Sequence, residues 1–593
     1  MMVNLLLRLS MFSAALYAVA AQAECDTDFT AIDTIQGTTD VSPLLGQQLS
    51  TRGVVTAQLY PGTKAAGIML RATTQTAPHA SASVFIADAE AARIYKPGQQ
   101  LQISGTVSEL QQFTSLSDIS EIKLCDNAVA TAELTPLQVQ LPLTAASDWE
   151  KLEGELVTFS QTLTVNDTYH LGRYGEITLA DKRLMIATEV MRPGKAAAAL
   201  AAQQQLHMLT LDDGVYQQNP EPVTFAGNTL TATNTIRVGD TLQQIEGIVL
   251  QDDRGYRVVP SRPPVYQAQN PRPENPAAKP AKALRIASFN VLNFFNGQGQ
   301  APAFPTRRGA SSLAELNRQQ AKTVTALAAL DADVIGLLEV ENNGYGQHGA
   351  LASLTAALNK VSSKPYRFII TSEQPGTDAI KVALLYRPSS VSVEGKAAML
   401  LSKPFDWGSR PPLAQSFRHL ASNDLVTVSI NHFKSKGSCP KDASSADADQ
   451  HDGQGCWNAL RTTSAKALSD WLRSQPTGVK TDKQIILGDL NAYRMEDPLQ
   501  MLTAQNWQYL SAAEGPQYSY VYRGRTGSLD HALASSALAK QLLTLQHWAI
   551  NADEPTLLDY NVEYKSASQQ QQLYAPTPYR SSDHDPLLAT FQF

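Results

Sequence analysis

The chain has 593 residues, 43% hydrophobic, 17% charged and 7% aromatic, with 34 Gly and 32 Pro, which excludes a small single-core scaffold and leads us to expect two to four domains. This apolar content also excludes a disordered chain. With 48 Lys+Arg against 55 Asp+Glu the formal net charge is -7, which argues against a protein that merely coats nucleic acid and requires a polyanionic substrate to be met by local basic patches.

Residues 1–23 read as a secretory signal peptide: Arg8 gives a sparse positive start, an apolar run follows, and Ala21-Gln22-Ala23 is a small-x-small cleavage site. The run is shorter than the roughly 20 residues a spanning helix needs. Removing 23 residues from 593 leaves 570, with no later stretch apolar enough to anchor them. A secreted protein, periplasmic or extracellular, is expected. Its cysteines, Cys25, Cys125, Cys439 and Cys456, are even in number and fall one pair to each half. We expect disulfides Cys25–Cys125 and Cys439–Cys456, each domain closing its own loop, because the tight CxxC spacing of a zinc site is absent.

From residue 24 to 266 short alternating segments predict strands, LSTRGVVTAQL, QLQISGTVSEL, GELVTFSQTLTV, YGEITLA, RLMIATEV and GYRVVP among them. Gly53, Gly105 and Gly247 fall within or at the lip of strands, as sharply bent barrel strands require. We divide this half into an OB-fold-like β domain at 24–130 and a second β-rich domain at 131–266, with KAAAALAAQQQ (195–205) as a helical exception. Residues 267–282 carry four prolines and no large apolar residue, so they should run extended as a linker. Beyond them, at 283–593, strands alternate with helical stretches, the texture of an α/β layer domain.

In this last domain polar residues end strands that otherwise look buried, which is where an α/β sheet presents a site. They are Asn290 after RIASF, Glu339 in VIGLLEV, His432 in SINHFKS, Asp489 and Asn491 in ILGDLNAY, Asp530 in SLDH, and Asp583 and His584 in SSDHDP. Any one of these could be a cap or a solvated residue. Their ordered recurrence without a rival cofactor motif points to one shared functional site.

The series SFNVLNF, LLEVEN, NHFKSKG, GDLNAY, SLDH, SSDHDP resembles the endonuclease/exonuclease/phosphatase superfamily, with its DNase I-like four-layer αββα sandwich, over residues 284–593. With DGQGCWNALR and the β-rich first half, the chain is similar to secreted bacterial ExeM/NucH-type extracellular nucleases. The resemblance implies a metal-dependent phosphodiesterase acting on extracellular DNA, with RNA as a second substrate, leaving 5'-phosphate ends. The same fold on a lipid or small phosphoester, or a non-catalytic DNA-binding matrix protein, is the alternative. The implied catalytic set is His432, Asp489, Asn491, Asp530 and His584. His584, oriented by Asp530, is base or electrostatic partner of the phosphate, Asp489 and Asn491 orient water and phosphate, and His432 is acid to the leaving oxygen. Asn290, Glu339 and Asp583 are hard oxygen donors suited to Mg²⁺ or Mn²⁺. Asp378 is a candidate orienter of His432, with a structural role equally open.

Arg307, Arg308, Lys434, Lys436, Arg523 and Arg525 lie near these motifs and are candidate phosphate contacts. Asp442, Asp447, Asp449 and Asp452 cluster between Cys439 and Cys456, where a structural Ca²⁺ is conceivable, although a solvated loop held by the disulfide is the preferred reading and no EF-hand spacing is present. The sequence suggests no protein partner, and a monomer is expected.

Overall fold

The computed structural model describes residues 25–77, 79–126, 134–297, 303–371, 374–513, 515 and 517–593; the expected signal peptide and its cleavage site lie outside them. The described chain forms two compact units. One comprises residues up to Pro136 with 150–156 and 251–254, and the other 137–149, 157–250 and 255–593.

In the first unit, strands β1 (Gln48–Leu59), β2 (Gly67–Arg71), β3 (Ser83–Ile86), β4 (Gln100–Leu110) and β5 (Phe113–Asp126) close a barrel in the order β1-β2-β3-β5-β4. Inward-facing Val55, Ile68, Val84, Leu101 and Ile103 fill it, with Ile32 and Ile35 added. At Gly53 a side chain would meet Arg71 O at 2.5 Å, so the neighbouring backbone comes too close for any other residue. Cys25 and Cys125 are bridged, as expected.

In the second unit, the β-rich segment forms a nine-stranded sheet from Leu137–Val139 at one edge to Val265–Gln267 at the other, with the expected helix at Lys195–Gln205. One expectation fails here. RLMIATEV is no strand: Met185 makes a single bridge with Thr526, and Ala187–Val190 is a short helix. Its backbone groups pair outside its own sheet, Ile186 N donating to Thr526 O (2.8 Å) and Leu184 O accepting from Thr526 N (2.9 Å). The proline-rich stretch carries no helix or strand from 268 to 283. It is nevertheless held against the α/β domain, Arg272 by Glu554 and Glu274 O by the Trp548 indole N–H at 2.8 Å.

The α/β segment contains two six-stranded sheets among its described residues. The first runs Arg367–Phe368, Ile380–Tyr386, Val334–Glu341, Leu284–Phe294, Leu587–Phe591, Leu542–His547; the second runs Val391–Met399, Arg410–His419, Leu425–His432, Gln484–Asp489, Asp530–Ala534, Gln508–Tyr509. Ile286, Leu338 and Leu384 of the first pack on Val428, Ile430 and Leu487 of the second. Helices Leu313–Ala329 and Ala350–Val361 cover the first sheet, and Asn458–Arg473 and Asp497–Ala504 cover the second.

Candidate active site

Asn290 and Glu339 come from adjacent parallel strands of the first sheet. The ladder shifts register at both, between Asn290 and Phe294 and between Leu337 and Val340. Glu339 stands at φ +63°, a left-handed conformation that costs free energy in a non-glycine residue and recurs at functional sites. The bulge turns its carboxylate onto the strand end, where Oε1 accepts from Asn290 Nδ2 (3.2 Å) and Oε2 from Asn293 N (2.9 Å).

The second sheet supplies three side chains in register, His432 opposite Asp489 and Asp489 opposite Asp530. Gly488 between them has φ +128°, and a side chain there would meet Asn431 O at 2.1 Å. His432 Nε2 lies 3.4 Å from Asp489 Oδ2 and 3.9 Å from Glu339 Oε1. Asn290 Nδ2 reaches Asp489 Oδ2 at 3.4 Å, so the two sheets meet at this carboxylate. His584, on the loop before the last strand, places Nδ1 2.7 Å from Asp530 Oδ2 and Nε2 3.9 Å from Asp489 Oδ2. Asn491 N donates to Asp489 Oδ1 (2.9 Å), and Asn491 Nδ2 to Phe433 O (3.2 Å). Asp583 neighbours His584 and accepts from Ser582 Oγ at 3.4 Å.

The electrostatics separate these groups. Burial works against a charged His584, but Asp530, Asp583 and Asp489 outweigh it and hold the imidazolium well above the ordinary range. Burial pushes Asp489 up to about 7 against the attraction of His584. Burial, then the charge of Asp583, raises Glu339. His432 is driven well below the ordinary range by burial and by Arg410 and His584. These surroundings favour the neutral form of His432 and the protonated form of His584.

A second expectation is corrected at Asp378. It does not touch His432 but pairs with Arg410 Nε (3.4 Å) and Arg308 NH1 (3.5 Å). Arg410 intervenes, its NH1 donating to His432 Nε2 at 3.4 Å, while buried His432 Nδ1 has no partner among the described residues.

Two of the six basic candidates are engaged elsewhere. Arg525 is buried and donates to Gln204 Oε1 (2.7 Å) and Ala201 O (3.1 Å). Lys436 is held by Glu496 and Gln454 O. Arg307, Arg308 and Arg523 are exposed. Lys434 Nζ lies 5.1 Å over the Trp457 ring, which contacts Trp407, 58% exposed, at 5.0 Å between centroids. The Cys439–Cys456 bridge forms as expected. Within its loop Asp442, Asp449 and Asp452 each accept from a backbone N–H two residues on, and Asp447 from Leu460 N at 2.8 Å. These are turn caps, and no three of them converge on a Ca²⁺ position.

Sequence reasoning missed Arg410, Tyr520, Asn551 and Ser582. Arg410 opens a strand reading Arg-Pro-Pro, which looks like a turn because proline is rare inside sheets. Tyr520 packs on His584 with centroids 4.8 Å apart. Asn551 lies on a loop without a pattern, yet its Oδ1 accepts from Ser581 N (2.8 Å) and its Nδ2 donates to His584 O (2.7 Å). Ser582 Oγ donates to Asn290 O at 2.6 Å; only its place in SSDHDP hinted at it.

Among the described residues no three His, Cys, Asp or Glu side chains form a ready metal cage. The donor set still fits a hard cation: half-buried Glu339 and buried Asn290 are adjacent oxygen donors at the strand end, with the Asp489 carboxylate beside them. Mg²⁺ ordinarily takes one or two carboxylates and completes its shell with water and phosphate.

Strand-end carboxylates, a carboxamide and an Asp–His pair on two packed sheets define a site suited to phosphoester chemistry. The chain belongs to the endonuclease/exonuclease/phosphatase family, whose model matches residues 287–584. Members of this family are typically phosphodiesterases or phosphatases and generally use divalent metal ions. Residues 122–270 match a model described as a domain of unknown function (DUF8508). Similar solved structures include the human Nocturnin catalytic domain with bound sulfate anion (15% identity, 53% of this chain and 96% of that one, TM-score 0.33). An endonuclease/exonuclease/phosphatase from Bacteroides vulgatus (16%, 52% and 99%, 0.34) and the mannosyl-6-phosphatase of Bacteroides thetaiotaomicron (14%, 52% and 100%, 0.32) are others. No curated protein matches the chain.

Proposed function

We propose that the protein is a secreted, divalent-metal-dependent phosphodiesterase that hydrolyses DNA, and RNA in second place, to 5'-phosphate products, as ExeM/NucH-type nucleases do. The observation that carries this reading is the 2.7 Å Asp530–His584 pair facing buried Asp489 beside the Asn290–Glu339 donors. The two disulfides, and the lack among the described residues of a helix long and apolar enough to cross a membrane, are consistent with export. We read the closed barrel as an OB-type domain and the two sheets with their helices as the four-layer sandwich.

Glu339 and Asn290, with Asp583 next to His584, would hold Mg²⁺ or Mn²⁺. When bound, the ion neutralises phosphate oxygens and favours a nucleophilic water. Asp489, with a proton affinity near neutrality, accepts the water's proton. Asn491 is oriented through Phe433 O beside it. His584, kept protonated by Asp530, sets positive charge against the phosphate and is the proton source for the leaving oxygen. Neutral His432 accepts from Arg410 and separates that guanidinium from Asp489. Exposed Arg307, Arg308 and Arg523, with Lys434, offer phosphate contacts.

The test is cleavage of closed-circular plasmid and of RNA with Mg²⁺, Mn²⁺ or EDTA, alongside His584→Ala. Metal-dependent nicking that the variant lacks supports the reading. Turnover of a small phosphoester without nicking would redirect it to a lipid or small-molecule phosphoesterase, and DNA binding without turnover to a matrix protein.

A further inference from the structure

Three loops flank the chemistry: 490–496 after strand-end Asp489, with Asn491; 524–529 before strand-start Asp530, including the short hairpin strand Arg525–Gly527; and 581–585 with His584. Backbone N–H groups there that no ladder satisfies must find partners elsewhere. For all three, part of that support comes from the β-rich domain upstream.

Glu189, on the short helix Ala187–Val190, accepts with Oε2 from both Ser528 N (3.0 Å) and Arg494 N (3.4 Å), joining the first two loops. Ser528 in turn donates through Oγ to Asp530 O at 2.7 Å. Thr188 adds a second link, its Oγ1 donating to Glu496 Oε1 (2.8 Å) and its carbonyl accepting from Met495 N (2.9 Å). The third loop is held one step removed. Arg237 Nε lies 2.8 Å from Glu554 Oε1 and Arg183 pairs with Asp553, anchoring the segment whose Asn551 bonds Ser581 N, Ser582 N and His584 O.

An apolar residue at 189 would leave the Ser528 and Arg494 backbone N–H groups without this acceptor, and a buried unpaired donor is costly. A carboxylate oxygen that accepts from two separate loops does what no apolar side chain can: it sets their spacing.

We propose that the β-rich segment carrying the short helix Ala187–Val190 is a working part of the active site, with Glu189 as a positioning residue that fixes the Asp489 loop relative to Asp530. The proposal rests on the phosphodiesterase reading above and gives the domain of unknown function a role in that reaction.

The experiment compares full-length Glu189→Ala, Glu189→Asp and Glu189→Gln with wild type. Readouts are kcat and KM on bis(p-nitrophenyl) phosphate with Mg²⁺, thermal midpoints, and the His584 ring signals of ¹⁵N-histidine-labelled protein, assigned with His584→Ala. We expect Glu189→Gln, which keeps the acceptor oxygen, to stay within roughly threefold of wild type. Glu189→Ala should lose roughly 10²-fold in kcat with little change in KM, the scale of a 1 Å misplacement. Glu189→Asp, which keeps the charge but withdraws the oxygen, should fall between, with His584 signals displaced, and decides the matter if Glu189→Ala does not fold. Wild-type kcat and unmoved His584 signals in Glu189→Asp, whatever its midpoint, would overturn the proposal. Failure of wild type to hydrolyse any phosphodiester would overturn the functional reading instead, while the His584 signals would still decide the positioning role.

Discussion

Asp530 Oδ2 and His584 Nδ1 stand 2.7 Å apart although 54 residues separate them in sequence. This bond favours the imidazolium form of a buried ring against desolvation, as Asp530 is the largest of the charges that raise it.

Asp530→Asn removes that charge while keeping the side chain's shape. Because the folded-state pKa of His584 is raised, its imidazolium is lost only as pH rises through that elevated value. In the variant the loss moves down toward the ordinary imidazole range. Activity at pH 8 should fall roughly 10³-fold, less at pH 6, within the span of acid–base contributions. A pH–rate profile checks the shift, and an unchanged alkaline limb would contradict it.

Glu339→Gln should separate metal binding from folding. Burial raises the Glu339 carboxyl, so its ionisation costs stability as pH rises past the ordinary carboxylate range. The variant should melt higher than wild type in EDTA at pH 7.5 and gain less from Mn²⁺, since only a ligand that binds the folded state raises the midpoint. Thermal unfolding with and without Mn²⁺ is the measurement.

Exposed Trp407 packs on half-buried Trp457 beside Lys434, two residues past His432. Stacking of one base is worth about 1–3 kcal/mol, so Trp407→Ala should raise KM for single-stranded DNA by at least roughly fivefold and leave a small phosphodiester untouched. Equal effects on both substrates would place the pair outside the substrate path.

In the barrel unit, burial and then neighbouring Glu150 push Glu153 up to about 8, even though its Oε1 accepts from Thr114 N at 3.1 Å. A carboxyl raised on folding binds more protons folded than unfolded, so stability falls as pH rises between about 4.5 and 8. Glu153→Gln should remove that fall, on the order of 4 kcal/mol. Hydrogen exchange of the barrel strands at pH 5 and pH 8 reads it directly.

The strand-end motifs were legible in sequence because apolar runs mark buried strands and a polar residue closing such a run is conspicuous: Asn290, Glu339, His432, Asp489 and Asp530 all stand out this way. The disulfides were legible because each pair closes a loop within its own half. Arg410 and Asn551 were not, since a proline-led strand and an irregular loop carry no periodic signal. The reading of RLMIATEV failed for a related reason, its alternation serving contacts with another domain rather than its own sheet.

The sequence by itself thus determined which chemical groups are present and that they close strands, because burial imposes a period on the residues around them. Only the tertiary structure decided that Asp530 meets the His584 ring, that Asp378 meets Arg410 instead of His432, and that Glu189 reaches the catalytic loops. Each of these depends on distances between segments from tens to hundreds of residues apart and on shared burial, neither of which leaves a local pattern.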